Sequence, residues 1–239
     1  MSISSQSSYV VTFTLDSSTG SYEAGDYQAT PNGIVLWVCG DDLIFNGLPY
    51  GSVTAGDGHC WLDRNLGAIR VAQTSDDSLA YGYLYQWGRA SDGHQRTTST
   101  VTTTLSTSDT PDHGQFIISG STPYDWRDPQ NDSLWQEIDE VNDPCPIGWH
   151  IPTGGINGEW KILTDAESIS NSSTAFDSLL KLPAAGYRGR TNGGLYNQGL
   201  LGYYWASSVN GTNASRFIFG HSPDAYHRAY GLSVRCLKD

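Results

Sequence analysis

Apolar and polar positions alternate with a period of two along Tyr9-Val-Val-Thr-Phe-Thr-Leu15, which predicts a strand ending at the turn-forming run Asp16-Ser-Ser-Thr-Gly20. Gly33-Ile-Val-Leu-Trp-Val-Cys39 is instead an apolar run before Gly40-Asp-Asp, predicting a strand buried on both faces, partly against another subunit. Cys60 to Ala68 and Tyr81 to Gly93 read as a strand, a polar connection and a short aromatic helix. Residues 97–110 are nearly all Thr and Ser, which offers neither a helical period nor the bulk for a core, so an exposed loop or hairpin is expected. Helical spacing appears at Glu159–Glu167 and at Thr174–Leu182, the latter stopped by Pro183. From there to the end, Gly and Tyr alternate with short strand-like runs, and no fixed-period repeat supports a solenoid or propeller.

Composition narrows this to a loop-rich β or α+β protein: charged residues are 16%, against 27 Gly, 14 Tyr and 8 Trp. The 239 residues suit one large domain with an N-terminal addition, divided here into a β-rich docking or oligomerisation region at 1–55 and a main domain at 56–239. A net charge of −12 would repel a phosphate backbone, so no nucleic-acid partner is expected. No run approaches the 18 or so apolar residues of a membrane span, so no membrane insertion is expected either. The opening Met1-Ser-Ile-Ser-Ser-Gln lacks the basic and apolar regions of a secretory signal. That predicts either a signal removed earlier or release inside a particle by lysis.

The four cysteines, Cys39, Cys60, Cys145 and Cys236, lack zinc spacing and leave three disulfide pairings open. Hydrolase elbows, zinc-protease motifs and nucleotide-binding loops are all missing, and the six histidines are scattered. The expectation is a protein that is not an enzyme and holds no cofactor or metal.

Six ordered segments over most of the chain carry a resemblance: Trp61-Leu-Asp-Arg-Asn-Leu-Gly-Ala68, Tyr81-Gly-Tyr-Leu-Tyr-Gln-Trp-Gly-Arg89, Asp143-Pro-Cys-Pro-Ile-Gly-Trp-His-Ile-Pro-Thr153, Glu159-Trp160, Gly202-Tyr-Tyr-Trp-Ala-Ser-Ser208 and Gly231-Leu-Ser-Val-Arg-Cys236. Together they resemble the major paralogous domain family named from Fibrobacter succinogenes, which is similar to C-type lectins. The resemblance implies an α+β fold with a small twisted antiparallel sheet, two or three short helices and long loops after the β-rich N-terminal region. It also implies that Cys145 and Cys236 lie close enough to bridge, leaving Cys39 and Cys60 as the remaining pair. Trp61, Trp87, Trp149, Trp160 and Trp205 read as core anchors, and Asp63-Arg64 and Arg89 as ion-paired groups beneath loops. The calcium-binding motifs of sugar-binding C-type lectins do not occur, so binding is expected to be metal-independent.

The segment Asn213 to Tyr230 is the candidate binding face. As a strand it would put Phe217 and Phe219 on one face, and Arg216 and Ile218 on the other. The Phe pair reads as core, leaving Arg216, Ile218, His221, Ala225, Tyr226, His227 and Tyr230 as the exposed ligand-binding set. This layout resembles the variable proteins of diversity-generating retroelements, which display a mutable C-terminal segment. The function expected is an adhesin on a virion or cell surface, such as a phage receptor-binding protein, contacting a bacterial surface glycan or protein. The N-terminal region would join it to other virion subunits in a homo-oligomer, a trimer being one candidate. A structural decoration without a small ligand is the alternative.

Overall fold

The computed structural model describes residues 9–11, 27–30, 33–36, 39–40, 42–136, 142–222 and 224–239, the first three as backbone only. β1 (Tyr9–Val11), β2 (Tyr27–Thr30) and β3 (Gly33–Leu36) form an antiparallel sheet in the order β1-β3-β2. The rest of the two N-terminal strands expected from the sequence, and the burial of their side chains, lie outside the described residues.

β4 (Leu43–Phe45) and β5 (Leu48–Tyr50) make a hairpin about Asn46-Gly47, both left-handed at φ 49° and 77°. Asn-Gly is the pair that tolerates two positive φ angles at a two-residue turn, whose twist matches the strands. β6 (Ser52–Thr54) then pairs with β7 (Cys60–Leu62). Leu43 and Tyr50, which precede the division expected at residue 55, are buried in the main core.

β8 (Tyr85–Gln86) lies where a short aromatic helix was expected. Gly82 and Gly88 hold φ 72° and 78°, angles a helix cannot use, and a Cβ on Gly82 would lie 2.4 Å from the Leu66 carbonyl oxygen. In the Thr/Ser stretch β9 (Val101–Thr102) pairs in parallel with β10 (Phe116–Ile117), while most of residues 97–110 stay exposed. β11 (Trp149–His150) leads through Pro152 to α1 (Glu159–Ala166). The second helix, α2 (Ser172–Asp177), starts earlier than its apolar spacing suggests, because Asn171 and Thr174 form a reciprocal capping box. It also stops earlier, and Leu180 and Leu182 enter the core from an irregular segment.

The remaining strands are β12 (Tyr187–Arg188), β13 (Leu195–Tyr196), β14 (Tyr203–Asn210), β15 (Asn213–Ile218), β16 (Asp224–Tyr226), β17 (Gly231–Leu232) and β18 (Leu237–Lys238). They complete sheets ordered β11-β18-β7-β6, β13-β12-β17-β8 and β14-β15-β16. Against these strands, the described residues include only two α-helices, of eight and six residues. The expected α+β class is therefore corrected to a β-rich fold. Asp outnumbering Glu, with abundant Gly and Tyr, favours turns and strands over helix surfaces.

β14 and β15 separate two cores. Tyr203, Trp205, Ala214 and Ile218 point into one, and Tyr204, Ala206, Phe217 and Phe219 into the other. In the second core Trp160 of α1 lies 5.1 Å from Trp61 and 4.9 Å from Phe217 between ring centroids. The five tryptophans expected as anchors are all buried, and most indole N–H groups reach a carbonyl, as when Trp87 donates to Ala206 and Trp205 to Tyr85. Short strands leave many loop carbonyls without ladder partners, and buried arginines supply donors. Arg89 donates to the His113 and Gln115 carbonyls and pairs with Asp92, and Arg235 donates to those of Leu62 and Leu180. Cys145 is bonded to Cys236, with Cα atoms 5.9 Å apart, and Cys39 to Cys60.

Candidate functional site

β16 is an edge strand, so the residues it carries meet solvent on one side. Its register against β15 sets Asp224 opposite Arg216 and Tyr226 opposite Ala214. Arg216 donates from Nη2 to Asp224 Oδ2 at 2.7 Å, and its guanidinium carbon lies 3.8 Å from the Tyr226 ring centre. Burial raises the Asp224 carboxyl, but the adjacent Arg216 charge overcomes this and holds it below its ordinary pKa.

After β16 the chain turns back through His227 to Tyr230, and Tyr226 and Tyr230 stack at 3.9 Å with planes 9° apart. Tyr187 of β12 meets both rings edge-on, at 6.1 and 5.6 Å, and stacks on Tyr196 of β13 at 5.3 Å. Beyond Tyr230, Arg190 lies 5.5 Å from that ring and 3.8 Å from Tyr124. His227 packs edge-on against Tyr124 at 4.5 Å. The result is one ledge of half-exposed rings, with an arginine over the ring at each end. Burial, followed by the Tyr230 hydroxyl, raises the Tyr226 phenol above its usual value, so it stays protonated and able to donate. Burial, then the Arg190 charge, lowers the pKa of His227.

Tyr124 has a left-handed φ of 62°, held by its N–H to the Ser121 carbonyl and by the Ala229 N–H to its own carbonyl. A non-glycine residue in that region costs roughly 1 kcal/mol or more, and such positions cluster at functional sites. Three polar atoms of the ledge, Arg190 Nε, Arg216 Nε and His227 Nδ1, are buried without a partner within the chain. Buried polar atoms normally find partners, so these three carry a desolvation cost that the neighbouring rings offset only in part.

Of the seven residues expected at the binding face, Arg216, Tyr226, His227 and Tyr230 come together in the ledge. Ala225 is half-buried on β16 opposite Ser215. His221 is exposed and lies around the corner, lining a 310 Å³ groove with Gly155, Lys161, Asp165 and Arg216. Ile218 is a correction: it is 5% exposed and packs in the core with Trp205 and Tyr203. The alternation at 216–219 is real, but β15 is the middle strand and both of its faces are covered. Tyr124, Tyr187, Arg190 and Tyr196 were not anticipated. They come from separate stretches that only the fold joins, and the sole sequence signal was an unusual density of Tyr.

Among the described residues no group of three or more His, Cys, Asp or Glu is arranged to hold a metal ion, and no helix is long and apolar enough to cross a membrane. Comparison with protein families, curated proteins and solved structures returns no match to this chain.

Proposed function

We propose that this chain is a ligand-binding adhesin that uses the tyrosine ledge to contact a bacterial surface glycan or protein, displayed on a virion or cell surface. The observation that carries the reading is the Tyr226–Tyr230 stack, left half-exposed while Arg216 and Tyr187 fix it from either side. Rings held in this way present a large contact area with little entropy left to lose, which is the character of binding hot spots. The apolar C–H face of a sugar ring or a flat side chain of a protein would lie on the tyrosines. Asp224 and the phenols would take up polar partners.

Two disulfides support a location in an oxidising compartment. The groove beside Arg216 gives a bound chain room to continue past the end of the ledge. The reading assigns no catalytic step to any residue.

The test is to apply the labelled chain to receptor-bearing bacteria and to immobilised surface polysaccharide, with Tyr226→Ala and Tyr230→Ala alongside. Saturable binding that each variant weakens at least tenfold, with thermal unfolding near wild type, is the expected result. Full-strength binding by both variants would move the ligand face elsewhere.

A further inference from the structure

The two ends of the ledge differ in charge. At one end Arg216 is neutralised by Asp224 at 2.7 Å. At the other, Arg190 makes no ion pair among the described residues: Nη1 donates to the Ser119 carbonyl, and Nε is buried with no acceptor. The Tyr124 and Tyr230 rings offset part of the cost of holding a cation there, since ring faces attract positive charge. Quadrupoles do not accept N–H groups as an oxyanion does, so the site is electrostatically incomplete. His227, between the same two rings, adds a second unpaired nitrogen, Nδ1. In a chain of net charge −12, an uncompensated arginine beside an aromatic stack is a local exception to the surrounding field.

We infer that the Arg190 end of the ledge is an anion subsite, so that the ligand is an acidic glycan with a carboxylate or phosphate on the ring that lies against Tyr230. This rests on the binding role proposed for the ledge and adds to it the class of ligand. The oxyanion would pair from the solvent side with the half-buried Arg190 guanidinium, while the ring's apolar face covers Tyr230. Toward Arg216 and Asp224 the following sugar would meet a neutral pair, able both to donate to and to accept from hydroxyl groups.

The experiment uses the full chain and three sets of probes: uronic-acid oligosaccharides, the same oligosaccharides with their carboxyls reduced, and phosphate-bearing oligosaccharides of matched length. Affinities are measured for wild type, Arg190→Gln, Arg190→Lys and Tyr226→Ala. One charge-assisted contact predicts roughly tenfold tighter binding of an acidic set than of the carboxyl-reduced set. Which acidic set wins identifies carboxylate or phosphate. Arg190→Gln is expected to erase the ratio of acidic to neutral affinity, and Arg190→Lys to retain part of it. Added salt is expected to weaken only the acidic sets. Equal binding of neutral and acidic sets, unchanged in Arg190→Gln but lost in Tyr226→Ala, overturns the anion subsite and leaves the ledge as a binding face. Should no set bind more tightly to wild type than to Tyr226→Ala, the acidic-glycan inference falls, and the adhesin reading is decided separately by binding to receptor-bearing bacteria. The carboxyl-reduction comparison needs only wild-type protein, so it decides the matter even where a variant fails to fold.

Discussion

Tyr226 and Tyr230 stack at 3.9 Å with planes 9° apart, although both remain half-exposed to solvent. Aromatic pairs of this kind contribute only about 0.5–1.5 kcal/mol beyond the area they bury. Removing either ring is therefore expected to lower the melting temperature by no more than several degrees while sharply reducing ligand binding. Calorimetry and binding on the same samples check this. A collapse of stability in Tyr230→Ala would mark the stack as a structural element.

Phe219 and Ile218 are neighbours on β15 and the turn after it, yet they enter different cores. Phe219→Ala is expected to cost about 3–5 kcal/mol and Ile218→Ala about 2–5 kcal/mol, as large-to-small changes at buried sites. Because the two side chains enter different cores but share one peptide bond, the departure of the double variant from additivity measures the coupling carried by that backbone. Denaturant unfolding measures all three. A neutral Ile218→Ala would return that side chain to the exposed face.

Cys145–Cys236 spans 91 residues and Cys39–Cys60 spans 21. In the chain-entropy account, closing those loops restricts the unfolded state by about 4–5 and about 3 kcal/mol respectively. Replacing Cys145 and Cys236 together by Ser is thus expected to destabilise more than replacing Cys39 and Cys60. Reversal of that order in unfolding experiments would mean that local packing, rather than loop length, sets the contribution of each bridge.

The sequence made legible what local chemistry decides. The five tryptophans were identifiable as core because of their size, α1 from its spacing, and the alternation at 216–219 from strand geometry. What it hid depends on neighbours. Ile218 looked exposed because one face of a strand is commonly wet, and nothing local to it reveals that β14 and β16 flank β15 and that a second core covers the other side. The aromatic run at 81–93 has the ring density of a buried helix face, but Gly82 and Gly88 take left-handed angles that a helix cannot use. The ledge was half-visible: Arg216, Tyr226, His227 and Tyr230 lie in one segment, but Tyr124, Tyr187 and Arg190 arrive from as much as a hundred residues away.

Two histidines with opposite shifts set the pH range of stability. His94 is fully buried, accepts the Gln86 N–H at Nε2 and faces Asp92 through Nδ1. Burial outweighs the carboxylate and lowers its pKa to about 4. The unfolded chain would bind a proton near pH 6.5 that the folded chain refuses, so this contribution is complete above 6.5 and is lost as pH falls toward 4. His150 lies between Asp239 at 2.6 Å and Glu159 at 3.2 Å. Burial opposes its charge, but the two carboxylates prevail and raise its pKa to about 9. Its contribution is complete below 6.5 and is lost as pH rises toward 9. Each shift corresponds to on the order of 3 kcal/mol, so unfolding free energy is expected to peak near pH 6.5 and decline on both sides. His150→Gln is expected to flatten the alkaline decline and leave the acid one in place. Denaturant titrations from pH 4 to 9 check both limbs, and an alkaline slope that survives His150→Gln would show that another group carries it.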